Sequence, residues 1–249
     1  MLSATRQAKI LDSLRTDGEV TVEELAGQFG VSLSTIRRDL NALSAEGLLR
    51  RVRGGGSVEP DKVPFGEVQR QHRPEKKRIA ARAAELVHDG DVVLVDIGTT
   101  TALLAKQLRG RRITVITASL AVIDELRGDE AVELVVLGGV VRRNYHSMVG
   151  VLTEQALAQL HATICFLGTS GIRPDGTITD TTGIEVPVKR AMIASSQTRV
   201  VLADSNKFPG VGLLPVCEPG AISCVVTNPD ADPATLAALR AAEVEVFLA

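Results

Sequence analysis

VSLSTIRRDLNALSAEGLLRRVRGGG, residues 31–56, decides how the amino-terminal part of the chain is read. Taken as a helix capped by Ser32, it puts Ile36, Leu40 and Leu43 on one stripe at i, i+4 and i+7, the period of a buried helical face. Ser34, Arg38 and Asn41 fall on the opposite side, flanked by Thr35 and Arg37. Hydroxyls, an amide and guanidiniums are the groups that hydrogen-bond base edges and phosphates, so a packing face and a reading face sit back to back.

The neighbouring segments fit this helix. Thr21 and Glu24 have capping-box spacing, and Val22, Leu25, Ala26 and Phe29 follow with helical period up to Gly30. Two short helices joined by residues 29–32 make a helix-turn-helix, in which the second helix enters the major groove and the first braces it. An opening helix from Arg6 to Leu14 is expected to close this small core with Ile10, Leu11 and Leu14. Beyond Gly47, residues 48–53 read as a strand, Gly54-Gly55-Gly56 as a tight turn and Ser57-Val58 as the return. The expectation is a two-stranded wing that lays Arg50, Arg51 and Arg53 along the phosphate backbone.

A length of 249 residues suits one small and one medium domain, and 45% hydrophobic residues suffice for a packed core. The net charge of -2 is unevenly spread, because residues 1–57 hold eight Lys/Arg against seven Asp/Glu and the remainder is mildly acidic. DNA affinity must therefore come from placed contacts, and from two tips acting together in a homo-oligomer, a dimer or a tetramer. Cys165, Cys217 and Cys224 form no CxxC pair and read as core thiols of a protein in a reducing cytoplasm. The stretch MLSATRQAKI lacks an apolar signal core, and no apolar run is long enough for a bilayer span. With no Trp and one Tyr, a sugar would be held through its charges and hydroxyls rather than by aromatic stacking.

The expected division is a DNA-binding domain at 1–58, a proline-broken polar linker at 59–74 and an α/β domain at 75–249 that opens on a helix after Pro74. Strands are expected at 92–95, 113–117, 132–137, 163–167, 199–203, 222–226 and 244–248, with helices at 101–108, 120–126, 152–160, 187–195 and 233–242. Continuously apolar strands alternating with helices imply a mostly parallel sheet covered on both faces, with ligands at the carboxyl ends of its strands.

Polar clusters fall at those ends. Asp96, Gly98, Thr99, Thr100 and Thr101 follow a strand and open a helix; the spacing alone fits either a phosphate cradle or a simple helix cap. Thr117 to Ser119 follows the next strand. Gly138-Gly139 is a turn that permits close approach of a ligand, and Arg142 to His146 after it read singly as surface loop. Gly168 to Ile172, including Gly171, precedes a second polar run at 175–180, and Lys207 follows the strand ending near Ala203.

TIRRDL at 35–40 with the GLLRRVRGGG wing resembles the DNA-binding end of the DeoR family of bacterial transcriptional regulators, and the resemblance continues over nearly the whole chain. It implies a winged helix-turn-helix joined to an effector domain similar to the ribose-5-phosphate isomerase and coenzyme A transferase fold. It also implies operator DNA and a small phosphorylated sugar as partners, and repression relieved by the latter. On it, the Asp-x-Gly-Thr-Thr-Thr loop becomes an effector loop, and Lys207, within a match to Asp-Ser-x-Lys-Phe, a phosphate partner. Ala118 departs from the family's usual Asn and leaves ligand identity open.

The fold also hosts enzymes, so a phosphosugar isomerase or deaminase with an appended DNA-binding domain is the alternative. Such chemistry needs a carboxylate base, and the segment resembling the isomerase's catalytic helix reads Val186-Pro187-Val188-Lys189-Arg190, with the nearest acid, Glu185, before it. His146 and His161 have no evident partner by spacing. The expectation is a sensor that is not an enzyme and needs no metal and no cofactor.

Overall fold

The computed structural model describes residues 5–7, 9–10, 13, 19–45, 50–52, 55–57, 65–210 and 212–249, with the side chains of residues 19, 44, 45, 50–52 and 55–57 excepted. They fall into two compact units, residues 1–64 and residues 65–249. The linker expected at 59–74 is therefore shortened at its end: residues 65–70 and 73–84 are helical, and Phe65 is buried in the second unit.

In the first unit, strand β1 (Glu19–Thr21) leads into helix α1 (Val22–Phe29), followed by α2 (Leu33–Ala45), β2 (Arg50–Val52) and β3 (Gly55–Ser57). The capping box forms as read: the Glu24 amide donates to the Thr21 hydroxyl and the Thr21 amide to the Glu24 carboxylate. Gly30 ends α1 in the left-handed region at φ 63°, where a side chain is disfavoured. Ile10, Leu25, Ile36 and Leu40 are fully buried in one cluster. The wing pairs Arg50 with Ser57 and Val52 with Gly55, but β1 adds a third strand on the far side of β3. Three residues before a helix cap are too short to show a strand by alternation. Leu11, Leu14, Gly47 to Leu49, Arg53, Gly54 and Val58 lie outside the described residues.

A polar tie was also not foreseen. Asp39, in the TIRRDL stretch, is 3% exposed and accepts from Arg6 Nε at 2.5 Å and from Arg6 Nη2 at 3.2 Å. The Arg6 guanidinium is held above its ordinary value by that hydrogen bond. The fork-to-carboxylate pair fixes the opening helical residues against α2, the helix that carries the reading face.

The second unit begins with α3 (Phe65–Arg70) and α4 (Arg73–Ala84) and then alternates strand and helix: β4 (Val92–Val95), α5 (Thr99–Gln107), β5 (Ile113–Thr117), α6 (Leu120–Leu126) and β6 (Val132–Val136). After a hairpin, β7 (Val140–Arg142) and β8 (Ser147–Val149), come α7 (Val151–Leu157), β9 (Ala162–Gly168), β10 (Gly171–Ile172), β11 (Ile178–Asp180), α8 (Val186–Ala194), β12 (Ser196–Leu202), β13 (Leu214–Cys217), β14 (Cys224–Thr227), α9 (Pro233–Ala241) and β15 (Glu245–Leu248). Seven strands form a parallel sheet in the order β15-β14-β12-β9-β4-β5-β6, with an apolar cluster on each face. The seven expected strands are these seven. The hairpin and the antiparallel sheet β10-β11-β13 were missed.

From β4 the chain adds β5 and β6 on one side, and later β9, β12, β14 and β15 on the other. The loops that leave β4 and β9 diverge, and such a switch point opens a crevice at the carboxyl end of the sheet.

Leu40→Ala removes a fully buried side chain from the smaller core and is expected to cost the first unit about 2–5 kcal/mol. Scanning calorimetry should show the transition of that unit lowered or lost, with that of the second unit unchanged.

Candidate functional site

The crevice between β4 and β9 is a cleft whose floor and walls come from the loops after those strands and from α3, α4, α8 and the turn after β12. At its floor, α5 begins on Gly98, whose φ of 131° lets the chain turn straight from strand into helix. Thr99, Thr100 and Thr101 occupy the first turn, where backbone amides have no intrahelical acceptor, and all three line the cleft. The Thr101 hydroxyl donates to the Gly98 carbonyl at 3.0 Å, so two of the three threonine hydroxyls remain for a ligand. Lys207 stands on the short helical turn after β12 and also lines the cleft.

Other expected ligand residues have different places. Asp96 is 2% exposed and lies behind the lining, bound to Lys189 Nζ and to the Gly168 amide at 2.9 Å. Ser119 is buried and caps α6, accepting from the Val122 amide. Gly138 and Gly139 are not part of the lining. A Cβ on Gly139 would fall 2.3 Å from Thr153 Oγ1, so this turn approaches α7 and not a ligand. Gly171 packs against Gly210 in the small sheet region. Arg142 is ion-paired with Glu185 and stands over the Tyr145 ring at 5.3 Å; it is its partners, Glu185 and Tyr145, that face the cleft.

The two most buried cations among the described residues are not among the expected ligand residues. Lys189 on α8 is 3% exposed and donates to Asp96, to the Gly168 carbonyl at 2.9 Å, and lies 3.6 Å from Asp180 Oδ2. Burial pulls its ammonium down, but Asp96 and Asp180 pull harder and hold it above the ordinary lysine value. Lys76 on α4 is 4% exposed, lines the cleft, and donates to the Val68 carbonyl at 2.7 Å. Burial lowers its pKa to about 8; Asp204 raises it and Lys207 lowers it further. Both had a legible signal, a lysine on an apolar helical stripe: Lys76 with Ile79, Ala80 and Ala83, and Lys189 with Val186 and Met192.

The cleft carboxylates are engaged. Asp180 accepts from Ser170 Oγ and the Thr182 amide, Glu185 from Arg142, and Asp204 from the Asn206 amide. What the cleft offers is a pair of lysines, first-turn amides and threonine hydroxyls, a donor set for an oxyanion.

On the first unit, Ser34, Arg37, Arg38 and Asn41 are exposed on α2 and Thr35 is half-buried. Ser32 Oγ accepts from the Thr35 amide at 3.2 Å and contacts the Ser34 and Thr35 hydroxyls, so it acts as the helix cap. Arg50 and Arg51 lie on β2 with side chains outside the described residues, as is the whole of Arg53.

Family models match both units: one described as the DeoR-like helix-turn-helix domain covers residues 6–60, and one described as the DeoR C terminal sensor domain covers residues 71–229. The HTH-type transcriptional regulator GolR of Listeria innocua is 31% identical over 232 residues, 92% of this chain and 91% of its own. The glycerol-3-phosphate regulon repressor of Escherichia coli strain K12 is 32% identical over 211 residues, 84% of each chain. Among solved structures, ribose 5-phosphate isomerase A of Methanocaldococcus jannaschii covers 55% of each chain at 19% identity and a TM-score of 0.41. No helix among the described residues is long and apolar enough to cross a membrane.

Lys189→Met would leave Asp96 and Asp180 buried without their cation, at a cost of about 3–5 kcal/mol to the second unit. Chemical denaturation should show that loss near neutral pH. It should also show the loss shrinking as pH falls, because burial raises Asp96 above the ordinary carboxylate value and its protonated form no longer needs the missing cation.

Proposed function

This chain belongs to the DeoR family, and from that premise we propose that it is a DNA-binding transcriptional repressor of sugar-metabolism genes, released from its operator by a phosphorylated sugar or related metabolite. The observation that carries the effector half is the convergence of Lys76, Lys207 and the first turn of α5 on one cleft at the switch point of the sheet. A phosphate dianion suits this donor set, and Ser170, Asp180 and Tyr145 on the same lining are available to sugar hydroxyls. The exposed Arg37, Arg38 and Asn41 on α2 support the DNA half. A homo-oligomer would present two such helices to two half-sites.

The same reading makes the protein a sensor and not a catalyst. Lys189 stands on the helix where the fold's enzymes would need a base, and it neutralises Asp96. Incubation with sugar phosphates should accordingly give no turnover by NMR; steady conversion of an aldose to a ketose phosphate would instead favour the isomerase alternative.

Arg38→Ala is expected to remove sequence preference, whereas Arg51→Ala weakens binding to all duplexes and reduces the slope of affinity against salt by about one charge. Fluorescence anisotropy with selected and random duplexes distinguishes the two, and indistinguishable effects would count against the assignment of reading helix and wing. Lys207→Ala or Thr100→Val should leave DNA affinity unchanged and weaken sugar-phosphate binding.

The pKa of Lys76 gives a pH test. Below about 8 its ammonium is charged and binds an anion fully; as pH rises through that value the proton is lost and affinity falls. Asp204 and Lys207 are the charged groups that bear on it, opposing one another. Phosphate titrations by calorimetry at and above about pH 8, where the ligand is already the dianion, should show this decline as pH rises, and Lys76→Met should flatten it.

A further inference from the structure

The effector reading leaves α3 without a role. This six-residue helix is the first element of the second unit, directly after residue 64 where the first unit ends, and it lines the cleft through Phe65 and Val68. Among its contacts, three bear on the cleft and the hairpin beside it. The Phe65 ring stacks on His146 of the β7–β8 hairpin, with centroids 5.0 Å apart and planes 14° from parallel. The Phe65 amide donates to the Asn144 carbonyl at 2.9 Å. Lys76 Nζ donates to the Val68 carbonyl at 2.7 Å. Two residues separate α3 from α4, and the second, His72, lies in the left-handed region at φ 50° and ψ 33°, a sharp corner made without glycine. The helix is thus hinged at one end, stacked on a surface hairpin at the other, and tied in the middle to a cation that faces the cleft.

An ammonium has three protons to donate, and the Val68 carbonyl takes one. The remaining two lie at a site 4% exposed, where water is scarce and an anion is the natural partner. An anion bound to Lys76 fixes the ammonium, and the ammonium fixes α3. We propose that α3 is a clasp over the cleft whose closure is coupled to anion occupancy through Lys76, so that the bound state sets the point where the chain from the DNA-binding unit enters the sensor. This inference rests on the effector reading of the same cleft, and it adds the element that responds. Coupling of this kind is reciprocal: whatever opens the clasp weakens the anion by the same factor by which the anion closes it.

Hydrogen exchange on the full chain, with and without saturating inorganic phosphate, tests it, with phosphate binding followed separately by calorimetry. Phosphate is expected to slow exchange of the amides in residues 65–71 by about tenfold while leaving the strands β4 and β9 unchanged. His146→Gly keeps the left-handed turn at φ 52° but removes the stacking ring, and His146 is not among the cleft residues. In that variant the same amides should exchange faster without phosphate, and phosphate affinity should fall by no more than the factor by which phosphate slows their exchange. Unchanged exchange in β4 and β9 shows that the variant is folded. If phosphate binds and residues 65–71 exchange at the same rate in both states, the clasp is overturned while the effector site stands. If phosphate does not bind the unaltered protein at all, the site reading fails and the clasp fails with it.

Discussion

One ammonium holds the sensing unit's crevice open in a defined shape. Lys189 reaches from α8 to the carboxylate after β4, to the carbonyl that ends β9 and toward the carboxylate that ends β11. The first two of these segments diverge at the switch point of the parallel sheet, and the third belongs to the small antiparallel sheet beside it. A charge removed from water at this depth is stable only with its partners in place, so the three contacts are interdependent. The consequence for the cleft is that Asp96 is paired with this ammonium behind the lining and Asp180 lies 3.6 Å from it.

That arrangement separates binding from chemistry in physical terms. The acids around this cleft each accept a hydrogen bond or ion pair from the protein. Holding an anion requires only donors in fixed positions. A regulator needs, in addition, that the bound and free states differ somewhere the DNA-binding unit can register. The short helix that opens the second unit lies on the path of the chain between them, and its connection to the cleft through Lys76 supplies a physical route.

Much of this was legible in the residues. The seven apolar strand cores, the capping box at Thr21 and Glu24 and the stripe of Ile36, Leu40 and Leu43 follow from periodicity and cap chemistry, which act locally. The turn at Gly98 was legible because a strand that runs straight into a helix needs a residue free of a Cβ there. What escaped was polar or short. β10, β11 and the hairpin have two or three residues each, too few to show alternation, and they exist because distant segments pair. Lys76 and Lys189 sit on apolar helical faces, where a lone lysine reads as a surface charge until the carboxylate or carbonyl that receives it, far away in the chain, is known. Gly139 was right as a constrained position, but what crowds it is the protein itself, Thr153 and the Val149 backbone.

The central claim is that anion binding in the cleft and DNA binding by α2 oppose one another, and linkage makes it measurable in both directions. A duplex selected from a randomised pool serves as operator, and its affinity is measured by anisotropy over a panel of sugar phosphates, including glycerol 3-phosphate. The affinity of the active metabolite is then measured by calorimetry with and without the duplex. The account predicts that one metabolite weakens the duplex and that the duplex weakens that metabolite by the same factor. A metabolite that binds the cleft tightly while duplex affinity stays unmoved would contradict it.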